Sequence, residues 1–275
     1  MPVSTVNDID IHWEMRGNEA GPRVLFIGGT GGDLRKTPNV FDGPLAKSAH
    51  VLTYDQRGLG RTSKPDGPYS MEDYADDAAG LMAALGWDDA HVIGVSFGGM
   101  VAQHLVARHP ARVTRLVLCC TSPGGDGGSS YPLHEVAAME EEERIRFMMP
   151  ISDTRHTPAW QADNKELVDS LIRMQIDGEA PYRDEPRRAE GALLQLDARR
   201  HHDAWDGLDA IRQDVLICGG KYDGIATPET QARLAERIPS ATLRMYEGGH
   251  LFLLQDARAW ADIISFVTGT PGDDA

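Results

Sequence analysis

The sequence predicts an α/β fold with a mostly parallel central sheet, and three observations carry that expectation. Short continuous apolar runs (Val24-Leu25-Phe26-Ile27, Val92-Ile93-Gly94-Val95, Val215-Leu216-Ile217-Cys218) have the length of strands and no polar face, which marks strands buried on both sides. Amphipathic helical patterns alternate with these runs, as parallel βαβ units require. From about Tyr131 to Trp205 the alternation stops and the chain reads as helix throughout, so the core is expected to carry an insertion between two of its strands.

Taken in order, Val3 to Glu14 alternates imperfectly around Asn7-Asp8, an antiparallel hairpin. Val24–Ile27 and Val51–Tyr54 are the next strands. Ser70-Met71-Glu72-Asp73 has the form of a capping box, and Tyr74, Ala78, Leu81, Met82 and Leu85 recur behind it at helical spacing until Gly86. A strand at 91–95 leads into a helix that Pro110 closes near His109, and Val113 to Cys120 is another buried strand. Ser122 to Ser130 is a breaker-rich linker. Inside the helical stretch, Glu140 to Glu143 reads as a solvated helix face. Strands resume at 215–218, with a helix near 229–237, a strand near 241–246, a last helix near 253–267 and a tail from Thr270 expected to fray.

The composition narrows the class. A chain of 275 residues suits one domain with an insertion better than two full domains, and an apolar content of 41% is that of a soluble globular protein. A net charge of −15 repels nucleic acid and anionic membrane surfaces, so neither is expected as a partner. The opening Met1-Pro2-Val3-Ser4-Thr5 has no signal-peptide character, and no run approaches the roughly 20 apolar residues of a membrane span. Cys119, Cys120 and Cys218 form an odd set within apolar runs, which fits buried free thiols in a reducing cytoplasm. The expected partner is a small-molecule substrate, with a homodimer left open.

The stretch that points to chemistry is Val92 to Met100, where a strand pattern ends in Gly94-Val95-Ser96-Phe97-Gly98 and a helix pattern begins at once. Gly-x-Ser-x-Gly in that setting is a nucleophile elbow: the chain reverses between strand and helix with the serine at its apex, and small residues flank it because helix and strand approach closely. A serine hydroxyl needs a base, and the base needs an orienting acid. Of ten histidines, His250 alone follows a strand and precedes the last helix, at the sheet edge where Ser96 lies. His91 sits at the wrong strand end, His104 and His109 lie in or after the elbow helix, and His201 and His202 lie in the insertion. Asp223, just beyond the strand at 215–218, is the acid; read without function it would be a turn or cap residue. An oxyanion hole needs two backbone N–H groups. Phe97, next after the nucleophile, is one, and the glycine-rich loop Gly28 to Asp33 offers the other at Thr30, with Gly31 next. The same loop completes neither a dinucleotide fingerprint, since residue 34 is Leu, nor a phosphate loop, since Arg35 stands where a glycine must be.

The chain order Ser96, Asp223, His250, together with Asp55-Gln56-Arg57-Gly58-Leu59-Gly60-Arg61-Thr62-Ser63, Gly219 to Asp223 with Pro228, and Gly248-Gly249-His250, resembles the α/β-hydrolase superfamily over nearly the whole length. The branch it is similar to is that of 3-oxoadipate enol-lactonases, cofactor-free haloperoxidases and related esterases. The chain departs from many members in carrying Gly28-Gly29 where they have His-Gly. Ser96 separates it from the dehalogenases and epoxide hydrolases, which use aspartate at the elbow. The resemblance implies an α/β-hydrolase core at 1–123 and 209–275, a helical cap at 124–208, and a serine hydrolase of small or medium carboxylic esters or lactones that uses no metal or organic cofactor. Carbon–carbon bond hydrolysis of a dienoic diketone on the same triad, and a catalytically silent ligand receptor, are the alternatives. Met139, Phe147, Met148, Met149 and Trp160 could line an adaptable apolar pocket, though contact between cap helices and core is the simpler expectation.

Overall fold

Every strand of the core is built from residues that bury both faces. The computed structural model describes residues 2–270; Met1 and residues 271–275, and with them nearly all of the expected frayed tail, lie outside the description. Among the described residues one sheet has eight strands: β1 (Val3–Val6), β2 (Ile9–Gly17), β3 (Arg23–Ile27), β4 (His50–Tyr54), β5 (Ala90–Val95), β6 (Val113–Cys119), β7 (Asp214–Gly220) and β8 (Ala241–Tyr246). Their order is β1-β2-β4-β3-β5-β6-β7-β8. β2 pairs antiparallel with both β1 and β4, and β4 through β8 are parallel. The hairpin turn is made by Asn7 and Asp8, both at positive φ (48° and 61°), a conformation that short polar side chains tolerate.

The pleat sends successive side chains to opposite faces, and here both faces are core. Leu25, Ile27, Val92, Leu116, Leu118, Val215 and Ile217 join one apolar cluster, whereas Val24, Ile93, Val117, Cys119, Leu216 and Cys218 join the other. Helices Met71–Ala84, Phe97–Arg108 and Pro228–Arg237 contribute Leu81, Leu105 and Leu234 to the first face, and Ala257–Thr268 contributes Ile263 to the second. Each such side chain, fully withdrawn from water, stabilises the fold by about 1.5–3 kcal/mol. The helix at 71 starts where Ser70 accepts from the Asp73 N–H and Asp73 accepts from the Ser70 N–H, the reciprocal cap expected there, and Gly86 at φ 70° follows its end.

The final helix is broken. Phe252–Gln255 and Ala257–Thr268 are separate because Asp256 leaves the helical region (φ −128°, ψ 106°), caps the Arg258 N–H, and accepts from the Glu247 N–H. The cysteines are buried and free.

The segment between β6 and β7 carries helices Glu141–Ser152, Pro158–Asp163, Lys165–Glu179 and Arg188–Arg200. Glu141, Glu142 and Glu143 occupy the first turn of their helix, where carboxylates face the positive end of the helix dipole. The segment has a small apolar centre of its own: Ile145, Val168 and Ile172, with Met149, Trp160 and Ile176 packed around them. Met149 and Trp160 therefore seal inserted helices to one another and not to the core, because the apolar stripes of helices 141–152 and 165–179 face each other. Phe147 is exposed and touches neither core cluster.

Candidate active site

Ser96 stands at the junction of β5 and the helix Phe97–Arg108, with φ 54° and ψ −115°. That conformation is costly for a residue with a Cβ and persists only where the surroundings enforce it. Here the Ser96 N–H donates to the Cys119 carbonyl at 2.8 Å, and its own carbonyl accepts from Thr121 Oγ1 at 2.9 Å. Gly98 explains the tightness of the turn. A Cβ on it would lie inside the van der Waals shells of the Ile27 and Gly28 carbonyl oxygens, so helix and strand β3 could not approach.

His250 Nε2 lies 2.9 Å from Ser96 Oγ, and His250 Nδ1 lies 2.8 Å from Asp223 Oδ2. The second oxygen of Asp223 accepts from the N–H groups of Ile225 (2.8 Å) and Ala226 (3.0 Å), so the carboxylate is held at both ends. The Asp223 side chain is wholly buried and that of His250 nearly so. A carboxylate held that way orders the imidazole with Nδ1 protonated, which leaves Nε2 free to accept the serine proton.

Phe97 opens its helix, so its N–H has no acceptor within the helix. The loop after β3 passes beside Ser96: a Cβ on Gly29 would stand 3.5 Å from Ser96 Cβ. Thr30 follows directly, with its Oγ1 buried and unpartnered. The Gly31 N–H is engaged elsewhere, donating to Gln195 Oε1 of the insertion at 2.9 Å, and this removes Gly31 as a donor to an oxyanion. Gln56 Nε2 donates to the Gly28 carbonyl at 2.9 Å. Asp55 accepts from the N–H groups of Leu34 (2.7 Å) and Arg61 (2.9 Å), tying the loops after β3 and β4 together, while burial pushes its carboxyl up to about 6. Arg57 forks onto Asp77. The Asp55-to-Gly60 stretch is thus the scaffold of the loop beside Ser96.

The remaining histidines are engaged away from Ser96. His91 meets Thr114, His104 meets His202, His109 meets Asp76, and His201 meets the Asp197 carbonyl.

Sequence reasoning missed the residues that brace the loops of Asp223 and His250. The end of inserted helix 141–152 is wedged between them. The His250 N–H donates to the Ser152 carbonyl (2.7 Å), the Gly224 N–H to the Ile151 carbonyl (3.0 Å), and the Thr154 N–H to the Tyr222 carbonyl (2.9 Å). Gln255 donates to both neighbours' framework, its Oε1 accepting from the Gly249 N–H and its Nε2 reaching Asp153 Oδ2 at 3.1 Å. The one trace in the sequence is Pro150-Ile151-Ser152-Asp153, a proline and polar break inside an otherwise helical run.

Comparison with known proteins agrees with this architecture. Residues 22–168 match the family model of the alpha/beta hydrolase fold. The chain is 27% identical to a poly(3-hydroxyalkanoate) depolymerase of Ectopseudomonas oleovorans, over 88% of this chain and 82% of that one. It is 27% identical to a 2-hydroxymuconate semialdehyde hydrolase of Pseudomonas, over 92% and 89%. The crystal structure of an enol-lactonase from Burkholderia xenovorans superposes with a TM-score of 0.77 at 26% identity, over 97% of this chain and 99% of that one. With the parallel sheet, the serine at a strained strand–helix turn and a family match over more than half its length, the chain belongs to the alpha/beta hydrolase fold family.

Proposed function

We propose that the protein is a serine hydrolase that cleaves a small or medium carboxylic ester or lactone through an acyl-enzyme. The observation that carries this is the unbroken chain of contacts from Ser96 Oγ through the His250 ring to Asp223, at 2.9 and 2.8 Å. In the reaction, His250 Nε2 takes the Ser96 proton as Oγ attacks the substrate carbonyl. The developing oxyanion is met by the Phe97 and Thr30 N–H groups. Collapse of the tetrahedral adduct breaks the carbonyl–oxygen bond, and the imidazolium returns its proton to the leaving alkoxide. Water, deprotonated by the same nitrogen, then cleaves the acyl–serine bond and releases the acid. Asp223 stays ionised and stabilises the imidazolium in both halves.

Ser96→Ala is expected to lower turnover of p-nitrophenyl acetate by about 10⁶-fold, the size of effect seen when a triad serine is removed, and a fluorophosphonate probe should label wild type at Ser96. An unchanged rate in the variant dismisses the mechanism. Failure to label an otherwise folded protein favours a ligand receptor on the same frame. The similarity to a 2-hydroxymuconate semialdehyde hydrolase supports a second reading, carbon–carbon bond hydrolysis of a dienoic diketone. Parallel assays of such a ketone, an enol-lactone and simple esters distinguish the two by their kcat/KM.

A further inference from the structure

Behind the elbow helix, where the inserted segment meets the core, lies a cavity of about 150 Å³. Its walls include Met100, Ser122, Ser130, His134, Arg199 and His202. Ser96 and His250 are not among its lining residues, and Met100, one helical turn beyond Ser96, is its wall on that side.

The charge in its wall is unusual. Arg199 is only 6% exposed, yet among the described residues it has no carboxylate partner. Its guanidinium donates to the Tyr131 carbonyl (2.8 Å) and to Ser130 Oγ (2.7 Å), while Nε is buried with no acceptor. Ser122 is wholly buried and its Oγ has no partner, and neither has His134 Nδ1. Three polar atoms without partners thus face one small space. A buried guanidinium without a counter-charge is destabilising by several kcal/mol, and an unpaired buried hydroxyl adds about 1–3 kcal/mol.

The histidines in the wall do not carry the charge. His202 Nε2 lies 3.0 Å from the Ser122 carbonyl, which can only accept, so that nitrogen holds the proton. Nδ1 then accepts from His104 Nε2 at 3.2 Å, and both rings are neutral. Arg199 is left as the buried cation. One guanidinium with serine hydroxyls matches a monoanion with planar oxygens, and the Met100 and Pro132 side chains suit a short apolar tail.

We infer that this cavity is a binding site for a small monocarboxylate, held by Arg199 and Ser122 at the seam between insertion and core. The carboxylate comes either from a free acid or from an arm of the substrate.

Sodium propionate, against sodium chloride at equal ionic strength, is the probe. At tenfold over its Kd it should raise the unfolding midpoint of the wild-type protein by about 3–5 °C. Arg199→Gln and Ser122→Ala should each lose most of that rise. Ser122→Ala removes only the unpartnered hydroxyl, so it tests the site even where Arg199→Gln folds poorly. No rise in wild type, or an equal rise in Ser122→Ala, overturns the proposal and leaves a cavity filled by water. Where the rise is seen, its effect on p-nitrophenyl acetate turnover locates the source. Inhibition that is competitive and lost in Ser122→Ala identifies a substrate arm, and turnover unaffected at saturating propionate identifies a free acid.

Discussion

At the carboxyl edge of the sheet, the site residues are positioned by backbone. Ser96 is fixed by the Cys119 carbonyl, and Asp223 by the Ile225 and Ala226 N–H groups. The insertion is fastened by side-chain charge. Asp33, fully buried at its carboxylate, takes Arg35 (2.6 Å) and Arg188 (2.9 Å), Arg35 and Arg188 both reach Glu185, and Lys36 and Arg188 reach Glu179. Arg35 also lies 4.0 Å over the Tyr182 ring. Burial opposes ionisation of Asp33, yet hydrogen bonds from Arg35 and Arg188 hold its carboxyl well below the usual range. Backbone anchoring tolerates no displacement, whereas a network of long side chains can re-form after a small slide. The sheet edge should therefore fail abruptly when altered, and the seam gradually.

The largest effect is expected at Asp223→Asn. Asn Oδ1 can still accept from Ile225 and Ala226, so the loop should keep its shape, but an amide NH₂ facing His250 Nδ1 forces the wrong tautomer. A loss of about 10⁴-fold in kcat with an unchanged unfolding midpoint is expected. A loss below tenfold would show that the carboxylate serves the turn and not the imidazole.

Two glycines compare the regions directly. A Cβ on Gly98 meets the Ile27 carbonyl oxygen, inside the sheet edge, and a Cβ on Gly191 meets the Gly58 carbonyl oxygen, across the seam. Gly98→Ala is expected to cost at least about 3 kcal/mol in urea unfolding and to abolish activity. Gly191→Ala should cost about 1–2 kcal/mol, the lower range of overpacking, because its helix can move. Its activity should fall chiefly through KM. Equal costs at the two positions would remove the distinction between anchoring by backbone and by charge.

The same distinction decides what could be read from sequence. The core strands were legible because burial on both faces leaves an apolar run with no period, and Ser96 because its turn demands glycines at fixed offsets. Asp223 and His250 were legible from their places after β7 and β8. The break at Asp256 was not, since an aspartate within an amphipathic pattern reads as a solvated position until its two backbone donors are seen. The contacts of Ile151 and Ser152 with the Gly224 and His250 N–H groups were equally hidden, because a backbone carbonyl leaves no mark on residue identity. Nor could the pairing of Asp33 with Arg188 be read, since charges far apart in sequence offer many equivalent partners.

The seam also carries the acid sensitivity expected of the molecule. His202 joins the insertion to the Ser122 carbonyl and to His104 of the elbow helix. Burial first, then the neighbouring His104 and Arg199, push its imidazole down from 6.5 to about 3. The folded state therefore refuses a proton that the unfolded chain binds below pH 6.5, and stability falls as pH drops from 6.5 toward 3. With those two values the loss from His202 at pH 5 is about 2 kcal/mol relative to neutral pH. Glu72, 3.8 Å from His104, and Asp203 favour protonation of His104 and soften its own share, whereas Arg108 opposes it. Urea titrations at pH 7.5 and pH 5 should show this slope in wild type. His202→Gln should flatten it, whatever its stability at neutral pH, because the slope reports the titrating ring alone. If the slope survives the substitution, the seam's acid response lies with its carboxylates, and the neutral histidine pair is only a packing contact.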